Sequence, residues 1–101
     1  NALEFNKRGG VGAIGVTANI AAKLSSDFQK ACKENIKKAV DIDKLLQPLH
    51  SSLFIESNPS PVKYAASLLK LASDDVRLPL VKVRKETKVI IENALKSAKL
   101  L

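Results

Sequence analysis

With 101 residues, 46% of them apolar and only three Phe and one Tyr among the aromatics, the chain can fill one small core, and fill it mainly with Leu, Ile and Val. The net charge of +7 raises the question of a nucleic-acid partner, but residues 1–50 carry eight Lys/Arg against five Asp/Glu and residues 51–101 carry nine against five, so the excess is spread as on a solvated surface. The single cysteine, Cys32, excludes a disulfide scaffold within the chain, and no apolar run is long enough to cross a membrane.

The opening residues, Ala2, Leu3 and Phe5 with Glu4, Lys7 and Arg8, read as the tail of a helix. Basic residues near its end suit the helix dipole, and Gly9 can take the left-handed cap position. Methionine is absent, position 1 included, and the expectation is that residue 1 falls inside something longer. Val11–Thr17 is short, apolar and uncharged, which fits a strand buried on both faces, as in a parallel sheet. Its glycines point to close approach of a helix or a ligand. Asn19 is placed to cap the next helix, where Ile20, Leu24, Phe28 and Ala31/Cys32 recur at helical spacing. Cys32 is then a small core residue.

Asn35 interrupts that stripe lightly. Ile36, Val40, Ile42, Leu45, Leu46, Leu49 and Leu53 form a second one with Pro48 inside it, so 36–54 is one bent helix or two short ones. Ser57-Asn-Pro-Ser-Pro61 is a turn, with Asn58 and Ser60 extended before their prolines, Ser60 as N-cap and Pro61 as first helical residue. Val62, Ala65, Ala66, Leu68 and Leu69 carry the helix to about Leu71. Ser73-Asp-Asp75 is a loop, Val76–Leu80 is extended ahead of a last helix, and that helix, about Val83 to Lys99, buries Val83, Thr87, Ile90, Ile91, Ala94 and Leu95. One strand cannot make a sheet alone, so the backbone groups of 11–17 need neighbours that this chain does not supply.

The candidate chemical motifs are thin. Gly10-x-Gly12-x-x-Gly15 matches the dinucleotide fingerprint by letters, but the glycines lie inside the expected strand and the helix opens too late. His50 is the only histidine and has no second His or cysteine pair with which to hold a metal, so a surface or interface role is favoured over a general base. Asp41/Asp43 and Asp74/Asp75 read as solvated carboxylates rather than an acid/base pair. Lys63, the lysine that best suits a Schiff-base role by its position at a helix start, reads as exposed. No Ser or Thr is placed for His50 to activate, and no complete catalytic constellation is visible.

Several stretches carry a resemblance: Gly9-Gly-Val-Gly-Ala-Ile-Gly-Val-Thr-Ala-Asn19, Gln47-Pro-Leu-His50, Leu53-Phe-Ile-Glu-Ser-Asn-Pro-Ser-Pro-Val-Lys-Tyr-Ala65, Val76-Arg-Leu-Pro-Leu80 and the final Ala94-Leu-Lys-Ser-Ala-Lys-Leu-Leu101. In this order they resemble the last third of the dihydrodipicolinate synthase family, lyases of lysine biosynthesis, with Asn58–Lys63 the most specific phrase. The resemblance implies a mostly α chain holding the last βα unit of a (β/α)8 TIM barrel plus the C-terminal helical domain. It divides the chain into 1–33, the end of the barrel with its last strand at 11–17, and 34–101, the helical domain that helps build a tetramer. It implies a parent that forms a Schiff base with pyruvate and condenses it with aspartate semialdehyde in the cytoplasm, with no cofactor, metal, nucleic acid or membrane involved. Ile14 is the position that carries over, lining the pyruvate pocket with its backbone, with Gly12 and Val16 flanking it. The Schiff-base lysine, proton-relay residues and lysine-feedback site lie upstream in the family, so this chain alone is expected to be inactive. The alternative is a free-standing basic helical module that binds nucleic acid or another polyanion; a helical oligomerisation piece is a third.

Overall fold

Asn35 organises the middle of the molecule. Its backbone is extended (φ −156°, ψ 91°), which ends one helix, and its side-chain Oδ1 accepts from Lys38 N at 3.2 Å, which starts the next. An Asn side chain at this position satisfies one of the orphan N–H groups of the new helix. The computed structural model describes all residues, 1–101, as five α-helices: α1 (Ala2–Lys7), α2 (Ala22–Glu34), α3 (Ile36–Ser52), α4 (Ser60–Leu68) and α5 (Lys85–Ser97). A short 3₁₀ turn, Val16–Asn19, precedes α2.

The second apolar stripe makes one helix, not two, and Pro48 lies within it. Along α3 the buried face reads Ala39, Ile42, Leu46 and Leu49, and Leu53 just beyond continues it; steps of three and four residues keep these side chains on one side of the helix. Leu49 and Leu53 are fully buried. α3 packs between α2, which contributes Phe28 and Ala31, and α5, which contributes Ile91, Ala94 and Leu95. Burying one such side chain removes enough apolar surface from water to be worth about 2 kcal/mol. α4 leans on α5, adding Val62, Tyr64 and Ala65 to the same core. The result is elongated, 41 × 25 × 21 Å.

Several expected boundaries move. The last helix is Lys85–Ser97; Val83 is buried ahead of it, but Ile90 is exposed, because Thr87, Ile91, Ala94 and Leu95 already fill the inward face. α4 begins at Ser60 with Pro59 as its N-cap and ends at Leu68, so Ser60 is the first helical residue rather than the cap. Asn19 does not cap α2. It belongs to the 3₁₀ turn and donates from Nδ2 to Val16 O at 3.0 Å, while Ala21 occupies the cap position without a side-chain bond. Cys32 is half-buried at the edge of the core, with Ala31 taking the buried place. Gly9 does take a positive φ, +101°, where α1 ends.

The expected strand is the largest difference. The chain contains no β-ladder, and Val16 and Thr17 turn into the 3₁₀ segment instead of finishing a strand. The physical reason is partnership: a strand exists only when a neighbour takes its backbone hydrogen bonds. No backbone hydrogen bond in the chain uses an N–H or C=O of residues 11–15. Gly15 nonetheless keeps an extended backbone, φ −155° and ψ 147°.

Candidate functional site

Residues 11–15 form a largely exposed apolar segment on the side of the bundle where α1, α2 and the end of α3 meet. Val11 is 84% exposed and Ile14 fully so. For β-branched side chains this is an unusual surface, and the free N–H and C=O groups of 11–15 lie alongside them. Such a backbone can take a neighbouring strand or present its amides to a polar ligand. Nothing in the chain covers Ile14.

Three residues beyond Ile14 the exposure ends abruptly. Thr17 is 3% exposed, and its Oγ1 lies 2.7 Å from Nδ1 of His50, in the last turn of α3. The two residues are 33 positions apart in sequence and are brought together because the 3₁₀ turn folds onto α3. A cavity of about 90 Å³ opens beside them, lined by Ala13, Gly15, Thr17, Phe28, Gln29 and His50, and a wider cleft continues past Ile14 and Val16 to Phe54.

Burial pushes the His50 imidazole below its ordinary 6.5, and Asp43, two helical turns back on α3, opposes this. The ring is therefore neutral near pH 7, and it forms the bond to Thr17 through Nδ1. A Thr–His contact this short has the spacing of an activated hydroxyl. Thr17 is too deeply buried for its oxygen to meet a substrate, so the pair holds structure rather than attacking anything.

The other sequence candidates stay apart. Lys63 is half-buried on α4, beside a shallow cleft that it shares with Val16, Asn19 and Asn58. Asp74 and Asp75 both reach Lys82 Nζ at 3.2 Å in the loop ahead of α5. The Asp75 carboxyl is held below its ordinary value by the Ser73 hydroxyl and by Lys82. Asp41 is exposed, and Asp43 accepts from Gln47 at 3.0 Å on its own helix. Gly12 and Val16 flank Ile14 in the same segment. The Thr17–His50 contact is the feature that sequence reasoning missed, since neighbours along the chain reveal nothing about a contact across 33 residues.

Comparison with known proteins gives the family of the chain. A model of the dihydrodipicolinate synthetase family matches residues 1–98. The 4-hydroxy-tetrahydrodipicolinate synthase of Pelagibacter ubique is 68% identical over 100% of this chain, which spans 36% of that protein. Among solved structures, dihydrodipicolinate synthase from Thermotoga maritima superimposes with a TM-score of 0.93 at 34% identity, over 98% of this chain and 34% of its own. A pyruvate-bound dihydrodipicolinate synthase from Acinetobacter baumannii does so with a TM-score of 0.92 at 36% identity, over 99% of this chain and 35% of its own. The chain thus spans about a third of the length of these relatives, the C-terminal third, whose helical architecture it shares. None of these matches supports a free-standing basic module that binds a polyanion. The chain belongs to the dihydrodipicolinate synthetase family.

Proposed function

We propose that this chain is the C-terminal part of an enzyme that condenses pyruvate with aspartate semialdehyde through a Schiff base, in the cytoplasmic route to lysine. The 68% identity to a 4-hydroxy-tetrahydrodipicolinate synthase across the whole chain carries the reading. Residues 1–33 then complete a barrel, with 11–17 as its last strand once neighbours take the free backbone groups. Residues 34–101 form a helical domain that supports a tetramer. The unpaired amides and carbonyls of 11–15 and the uncovered side chains of Val11 and Ile14 support that placement, because a barrel strand is buried on both faces.

In this reading the backbone of Ile14 lines the pyruvate pocket, with Gly12 and Val16 on either side. The nucleophilic lysine and the proton-relay groups come from the upstream two-thirds, so the chain on its own is inactive. A hybrid that joins the upstream two-thirds of the Pelagibacter ubique enzyme to this chain tests the reading. The expected result is turnover of pyruvate with aspartate semialdehyde by the hybrid and none by the chain alone. A folded hybrid that carries the upstream lysine and turns nothing over refutes it.

A further inference from the structure

We infer that His50 is a positioning residue for the pyruvate-facing segment, holding residues 11–17 in place through Thr17; this rests on the reading of Ile14 given above. The Thr17 Oγ1–His50 Nδ1 contact, at 2.7 Å, is the one hydrogen bond that ties any residue of 11–17 to another helix. The remaining bonds of the segment are local: Asn19 to Val16 O, and Ile20 and Ala21 to Thr17 O. Ile14 lies three residues from the anchor, within about 10 Å along an extended backbone, so a change in how Thr17 sits is transmitted to Ile14 along a short lever.

The chemistry of the pair suits this task. Thr17 is buried, and an unpaired buried hydroxyl is costly, so the bond is strongly preferred over its absence. His50 sits at the end of α3, whose Ala39, Ile42, Leu46 and Leu49 lie in the core, so its ring is mounted on a well-packed helix. Phe28 and Gln29 of α2 share the cavity with the pair. The charged side chain that acts on the ring is Asp43 of α3. With 11–15 paired as a strand, Thr17 is the point at which that strand is tied to the helical domain.

The test uses the hybrid enzyme with Thr17→Val, His50→Leu, their double variant, and His50→Asn, whose side-chain amide can replace the Nδ1 contact. Two readouts apply: hydrogen exchange of the amides of 11–17, and the pyruvate KM set against kcat. Thr17→Val and His50→Leu are expected to speed exchange in 11–17 and to raise the pyruvate KM about five- to tenfold, the loss of one hydrogen bond's worth of alignment, with a smaller change in kcat. The double variant matches the single ones, since either change breaks the same link, and His50→Asn restores most of the affinity. Unchanged exchange and KM in the folded Thr17→Val enzyme, or effects that add in the double variant, overturn the inference. If His50→Leu does not fold, Thr17→Val alone decides. Exchange also separates this inference from the assignment of activity: an inactive hybrid in which Thr17→Val still loosens 11–17 fails the enzyme reading and leaves the anchor standing.

Discussion

Tyr64 is the only tyrosine in a chain without tryptophan, which makes its phenol a spectroscopic reporter for the contact between α4 and α5. The ring is 8% exposed, its hydroxyl donates to Glu92 Oε1 at 2.8 Å, and Lys88 Nζ stands 5.4 Å from the ring centroid. Burial first, then the Glu92 carboxylate, push the phenol from 10.0 up to about 12. Both causes act in the same sense: tyrosinate loses solvation inside the fold and would face a carboxylate of its own sign. Because the folded-state value is raised, the protonated phenol stabilises the fold at every pH below 10. That contribution fades as pH rises from 10, where the unfolded chain ionises, to about 12. The full displacement corresponds to about 2.7 kcal/mol. Solvent screens the hydroxyl, which sits toward the edge of the contact, so about 1–2 kcal/mol is the expected loss. The assay follows tyrosinate absorbance against pH in the native chain and in denaturant, with circular dichroism reporting the helices. The native midpoint should lie near 12 and the denatured one near 10. Glu92→Gln should bring the native midpoint down toward the denatured value by removing the carboxylate charge, leaving the part due to burial. A chain that is helical yet ionises at the denatured value refutes the packing of Tyr64 against α5.

Two further predictions concern stability. Leu49 is fully buried between α2 and α5, and Leu49→Ala should destabilise the chain by about 3–5 kcal/mol, seen as a large fall in the urea midpoint; a shift worth less than about 1 kcal/mol contradicts the core described here. Asn35→Ala removes the only side-chain cap on an α-helix in the molecule and should lower stability by about 1 kcal/mol, whereas Asn35→Asp should hold it close to the original value by the same measurement.

The helices were legible because their apolar residues repeat at helical spacing. Ile42, Leu46, Leu49 and Leu53 show the buried face of α3 without any structure. Periodicity was less informative at the margins of a face: Ile36, Leu45 and Ile90 carry apolar side chains in the same stripes and stand partly in solvent. Boundaries shifted where capping depends on the path of the chain, as at Asn19, which closes its own turn instead of opening α2. The candidate site was half legible. An uncharged apolar run, Val11–Thr17, announces a need for covering, and the resemblance placed Ile14 within it. What anchors that run was not legible, because His50 and Thr17 are 33 residues apart and neither has a neighbour in sequence that hints at the other.

From its sequence alone this protein has a helical composition, an amphipathic α3 at the centre of its core, a break at Asn35 and an apolar segment that avoids charge. These follow from local rules, since spacing, propensity and capping act over a few residues. Only the tertiary structure decides that residues 11–15 leave their backbone groups unpaired, that Val16 and Thr17 turn away, and that His50 meets the Thr17 hydroxyl. Those outcomes depend on which surfaces meet, and a hydrogen bond between distant residues forms only after packing has brought its two ends within 3 Å or so of each other.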